Sequence, residues 1–170
     1  PSTRHCPRTS PMPSEAKRHA PDRLDLDTFV PYRLSVLSNR VSDAIARHYS
    51  ERFGLSIPEW RVMAVLGQTP GLSASEVASR TAMDKVQVSR AAASLLRSKR
   101  IARAGDDKDG RITRLSLTRQ GMAIYDEIGP LALHLEAVFL AALTPAERAT
   151  FSVLMDKLTR QVDRLHMSAL

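Results

Sequence analysis

With 170 residues the chain is long enough for one domain with a real core and too short for two large ones. Its 25 Lys and Arg against 18 Asp and Glu leave a net charge of +7, which admits a polyanionic partner without requiring one. A single cysteine, Cys6, excludes an internal disulfide and a cysteine-built metal site, and the longest apolar run, Ala137 to Leu143, falls far below the ~18 residues of a membrane span. No charged-then-apolar signal segment is visible, so a cytoplasmic protein without a membrane partner is expected.

Residues 1–23 carry Pro1, Pro7, Pro11, Pro13 and Pro21 among Ser, Thr, Arg and Lys, with almost nothing apolar. Such a composition cannot bury a core and predicts a disordered basic tail. From Asp27 to about Arg52, Phe29, Leu34, Leu37, Val41, Ile45 and Tyr49 recur at steps of three to five. That spacing predicts one long amphipathic helix filling the segment 24–54.

Capping boxes then mark successive helix starts: Ser56/Glu59, Ser73/Glu76, Asp84/Gln87 and Thr144/Glu147. Pro58 and Pro145 fall in first turns, where a missing N–H is harmless, and Pro70-Gly71 breaks the chain between two helices. After Lys99 the period changes. Ile101 to Ala104 and Arg111 to Leu117 flank a polar Gly105-to-Gly110 tip and predict a β-hairpin, with Ile112, Leu115 and Leu117 on its apolar side. Thr118 starts a further helix with a possible kink at Gly129-Pro130, its stripe of Leu131, Leu135, Val138 and Ala142 running on to Thr144. The last helix carries Phe151, Leu154, Met155, Leu158, Val162 and Leu165 on one face, either as core or, given its place near the terminus, as a partner contact.

The predicted fold is mainly α with a small β-hairpin wing: a winged helix-turn-helix over 55–118, followed by long helices over 119–170. In that fold the helix from Asp84 to about Ser98 enters the major groove of double-stranded DNA. It offers Lys85, Gln87, Ser89 and Arg90, with Arg97 further along, while Val88 and Leu95, and Val86 beside them, face inward. Ser73 and the wing residues Lys108, Asp109 and Arg111 complete the candidate DNA contacts. Between Arg80 and Arg114 ten Lys and Arg stand against four Asp, so the excess charge is concentrated there. Three aspartates suit a phosphate-facing wing only if one holds an arginine, and Asp109 is well spaced to hold Arg111.

The run from Met83 through Gly121, with Asp84-Lys-Val-Gln-Val-Ser-Arg90, Ile101-Ala-Arg103, Asp106-Asp-Lys-Asp-Gly-Arg111 and Leu115-Ser-Leu-Thr118 before Gly121, resembles regulators of the multiple-antibiotic-resistance repressor (MarR) family. The resemblance spans roughly Leu24 to Leu165. It implies a homodimer built from the first helix and the last two, and an Arg111 that reaches into the minor groove. Two positions depart from the pattern. Lys99 stands where the family usually has a helix-ending glycine, and Arg100 where it usually has an aliphatic residue, so Lys99 must adopt a left-handed conformation or the helix must end differently.

The resemblance also implies a small-molecule effector held on the first two helices. Arg33, Leu37, Arg40 and Ala44 share a face of the first, and Trp60 and Met63 lie early on the second. A guanidinium beside aromatic and thioether surface suits an aromatic acid or its coenzyme A thioester. The same residues equally read as surface ion pairs around a core tryptophan. Tyr32 to Arg40 together with Pro58-Glu-Trp-Arg61 is similar to the subgroup that controls degradation of aromatic acids, some members of which sense aryl-coenzyme A thioesters.

The reading is therefore a ligand-responsive repressor on a pseudo-palindromic operator, the alternative being a winged helix that holds protein. An enzyme is not expected. No nucleophile–base pairing or glycine-rich phosphate loop is present, and His5, His19, His48, His134 and His166 lack ligand spacing, so no cofactor or metal is predicted.

Overall fold

Local capping sets where most helices begin in the computed structural model, which describes residues 23–106 and 112–168. The chain divides into two units at Asn39 and Arg40. In the first, the Asp25 carbonyl accepts the Phe29 amide at 2.9 Å and its carboxylate accepts the Asp27 amide at 3.0 Å. This turn delays helix α1 (Val30–Phe53) by three residues relative to the start expected at Asp27.

In the second unit α1 ends at Gly54, whose φ of +60° suits a residue without a side chain. Helix α2 (Ile57–Gln68) begins behind Ser56: the Ser56 hydroxyl accepts the Glu59 amide at 3.4 Å, and the Glu59 carboxylate accepts the Ser56 amide at 2.8 Å. The same reciprocal pair starts α3 (Ala74–Thr81) at Ser73 and Glu76, and α6 (Pro145–Ser168) at Thr144 and Glu147. At α4 (Lys85–Arg97) only half of the expected box forms. Asp84 accepts the Gln87 amide at 2.7 Å, with no return bond from the Gln87 side chain among the described residues. Thr118 caps α5 (Arg119–Leu140), which continues through Pro130 as one helix.

The hairpin predicted between α4 and α5 is part of a three-stranded antiparallel sheet, β1 (Leu72–Ser73), β2 (Ile101–Gly105) and β3 (Thr113–Leu117), in the order β1-β3-β2. The register pairs Ile101 with Leu117 and Leu72 with Leu115. A two-residue strand has no period of its own, so β1 escapes a pattern search. It pairs because Gly71, at φ +78°, turns its amide onto the Leu115 carbonyl at 2.9 Å.

Val62, Met63 and Leu66 of α2, Val77 of α3, Val88 and Leu95 of α4, and Ile101, Leu115 and Ile128 form one buried core. No described side chain of α6 is buried, and Leu133, Val138 and Phe139 of α5 are also exposed. The chain bends by 109° between these two helices, and among the described residues no single helix is long and apolar enough to cross a membrane.

Helix α4 ends in a Schellman motif. The Arg100 amide reaches the Leu95 carbonyl at 2.9 Å and the Lys99 amide the Leu96 carbonyl at 3.1 Å, while Lys99 sits at φ +57°. Of the two outcomes open at this position, the chain takes the left-handed one. A Cβ there is strained, so Lys99→Gly should raise stability by about 0.5–1 kcal/mol, read as a higher urea midpoint. An unchanged or lower midpoint would show that the conformation is not strained.

Candidate nucleic-acid interface

Helices α3 and α4 are joined by Ala82, Met83 and Asp84; Ala82 is left-handed at φ +52° and Met83 is buried, so the turn is tight and anchored. At 100° per residue, the buried Val88, Ala91, Ala92 and Leu95 define one side of α4. Diametrically opposite lies the exposed stripe Val86, Arg90, Ala93 and Arg97, flanked by exposed Lys85, Gln87 and Ser89. The expectation that Val86 faces inward is therefore wrong: it is 58% exposed, because it stands two positions before Val88 and is turned through about 200° from it. Ser73 lies across the turn, its hydroxyl engaged in the α3 cap.

The basic block sorts into two groups. Arg80 donates to the Thr69 hydroxyl at 2.9 Å, Arg100 to the Phe53 carbonyl, and Arg114 to Asp106 at 2.6 Å and Glu76 at 2.8 Å. These three cations are spent on internal bonds. Lys85, Arg90, Arg97, Lys99 and Arg103 are exposed, with no ion-pair partner among the described residues. Lys108, Asp109 and Arg111, and the expected Asp109–Arg111 pairing, lie outside the described residues.

At the base of the wing Arg114 makes an arginine–aspartate pair with Asp106, of the kind expected between Asp109 and Arg111 nearer the tip. Hydrogen bonding to Asp106 raises its pKa, aided by the charges of Asp106 and Glu76. Glu76 is in turn held below the usual carboxylate range, first by the Ser73 amide and hydroxyl of its cap. One guanidinium thus ties β3 and the end of β2 to the first turn of α3. Neither partner is near it in sequence; only the sheet brings them together.

Arg100, in place of an aliphatic residue, caps the last turn of α1 through Phe53. Its charge also acts on Glu59, which is buried beside Ser56 and Ser94. Burial alone would raise the Glu59 pKa, but the hydrogen bonds from Ser56 and Ser94 and the nearby Arg100 outweigh it and hold the carboxyl below its ordinary value.

A second feature is a cavity of about 1220 Å³ bounded by the C-terminal half of α1 and by α2, α5 and α6. Ile45, Trp60, Tyr125, Phe139 and Met155 supply apolar wall and Arg47 a guanidinium. Trp60 stacks on Tyr125 at 6.0 Å and meets Tyr49 at 5.7 Å. Burial pushes the Tyr49 hydroxyl up to about 12, against the opposing charge of Arg61. Tyr125 fits because Gly67 has no side chain: a Cβ there would lie 2.7 Å from the ring.

Of the candidate effector residues, Trp60 lines this cavity, whereas Met63 is fully buried in the core. Arg40 lines a shallower groove along α1 with Asp43, Arg47 and Ser50, and Arg47 borders both. Arg33 and Leu37 are exposed residues of the first unit. Tyr125 and Arg47 were not legible as cavity residues, since nothing in their own spacing sets them apart. Among the described residues no cluster of His, Cys, Asp and Glu could hold a metal ion.

The model of the MarR family matches residues 53–112, the span from the end of α1 into the wing. An HTH-type transcriptional repressor of Mycobacterium tuberculosis, Rv2887, is 28% identical over 131 residues, 76% of this chain and 91% of the repressor. Among solved structures, a MarR/EmrR family transcriptional regulator from Acinetobacter sp. ADP1 superposes with a TM-score of 0.76 at 26% identity, over 83% of this chain and 99% of that one. The PcaV transcriptional regulator from Streptomyces coelicolor, solved in complex with its natural ligand, gives 0.65 at 25% identity, over 81% and 96%. The chain is thus similar to the MarR family over residues 53–112, and over most of its length its fold is that of these winged-helix transcription regulators.

Proposed function

We propose that the chain is a repressor that binds a pseudo-palindromic operator as a homodimer in the cytoplasm and is released by a small aromatic acid or its coenzyme A thioester. The outward stripe of α4 carries this reading: a convex helical face bearing Arg90 and Arg97, flanked by Lys85, Gln87 and Ser89, matches the width and charge of a major groove. Ser73 and Arg97 are assigned to phosphates, and Lys108, Asp109 and Arg111 to the wing contact. Two such helices reading successive grooves predict half-sites about 10 bp apart.

Dimerisation is supported by α6, a helix of 24 residues with no buried described side chain, on which Leu154, Leu158, Val162 and Leu165 remain exposed. A face of that kind gains stability only by association. The effector is assigned to the cavity at Trp60 and Tyr125, where Arg47 supplies a carboxylate partner. That PcaV is solved with its natural ligand supports a ligand-responsive reading.

The test is affinity for duplex DNA across a salt series. A dimer neutralising roughly six to ten phosphates should give a slope of log affinity against log salt of about −5 to −9. A flat response, with capture of a protein partner, would favour an interaction module instead.

A further inference from the structure

We infer that Val86 is a specificity-determining residue that reads the C5-methyl group of a thymine in the major groove, close to the guanine engaged by Arg90; this rests on the DNA reading above. Single exposed apolar residues are common on protein surfaces and mean little alone. Val86 differs in where it stands. It lies in the first turn of α4, the part of a recognition helix that meets base edges, and shares the outward stripe with Arg90 and Arg97, opposite the buried face. The only other member of that stripe is Ala93, so two aliphatic side chains frame one guanidinium.

Base-edge chemistry then narrows the partner. Valine offers neither donor nor acceptor. Pressed against an adenine, guanine or cytosine edge, it would strip water from a polar group without replacing the lost hydrogen bond. Thymine alone presents an apolar group on the major-groove side. One turn of helix separates Val86 from Arg90, about 6 Å of rise. The predicted half-site therefore contains a thymine within about two base pairs of the guanine read by Arg90, and cytosine is excluded at the thymine position because it lacks the methyl.

The experiment begins with duplexes enriched from a random-sequence pool by the full-length chain. These are resynthesised with deoxyuridine replacing one thymine at a time, which removes a single methyl and leaves pairing intact. For the unaltered protein, one such change per half-site should weaken binding about fourfold, the equivalent of one buried methyl group. Val86→Ala should bind the thymine and deoxyuridine duplexes equally at that position while unfolding at the same temperature as the unaltered chain.

Enrichment of defined sequences with no methyl-sensitive thymine would overturn the inference. So would methyl sensitivity that survives in Val86→Ala. If the pool yields no enriched sequence, the DNA-reading function fails and this inference fails with it, an outcome plainly different from enrichment without methyl dependence.

Discussion

Gly121→Ala should destabilise the chain by about 3 kcal/mol or more, the largest effect expected of any single methyl added to it. A Cβ at Gly121 would lie 1.9 Å from the Arg100 carbonyl oxygen and 3.0 Å from its carbon. Both are backbone atoms in a junction that cannot give way cheaply. The Thr118 amide donates to that same oxygen at 3.0 Å, the Thr118 hydroxyl donates to the Lys99 carbonyl at 2.7 Å, and the Gly121 amide donates to the Thr118 hydroxyl at 3.1 Å. The first turn of α5 is thereby laid directly on the start of β2. Relief would require α5 to lift away and take Ile128 out of the core. Urea unfolding of the variant measures the effect, and a loss under 0.5 kcal/mol would show that the junction is softer than its bonding implies.

Arg90→Ala should cost most of the sequence-specific affinity. A bidentate pair between arginine and a guanine edge contributes about 1–3 kcal/mol, so two half-sites lose about 2–6 kcal/mol, or at least about thirtyfold in affinity. Arg90 is exposed on the face opposite Val88 and Leu95, so stability should stay within ±0.5 kcal/mol. Titration of an enriched duplex into the variant gives the affinity, and unfolding in urea gives the control. Binding within threefold of the unaltered chain would remove Arg90 from the reading set. Arg114 makes a useful contrast, because its bonds to Asp106 and Glu76 lie within the protein, and it supports the wing rather than a phosphate.

Both predictions concern the stretch whose short motifs carry the family resemblance, yet they depend on different levels of organisation. The role of Arg90 follows from α4 alone: a cap at Asp84, a helical period, and a position two residues past the inward Val88. That of Gly121 follows from the approach of α5 to β2 across some twenty residues of chain, which no local pattern contains. Arg100 and Lys99 are intermediate. Their departure from the pattern is visible in the sequence, but only the fold shows how each is accommodated, by the Schellman end at Lys99 and the Phe53 carbonyl at Arg100.

What the sequence by itself determined were the features made within a few residues. The helix starts at Ser56, Ser73, Thr118 and Thr144, the turn before α4, the hairpin around its polar tip and the outward Arg90 all arise from caps, turns and periods, whose partners lie a few positions away. Tertiary structure decided what depends on distant backbone. It recruited Leu72 and Ser73 as a third strand, engaged Arg80, Arg100 and Arg114 in bonds within the protein, and set Tyr125 against Trp60 over Gly67. The physical reason is the same in each case. A backbone segment or a charged or aromatic side chain pairs with whatever the fold brings within a few ångströms, and its neighbours in sequence carry no record of that partner.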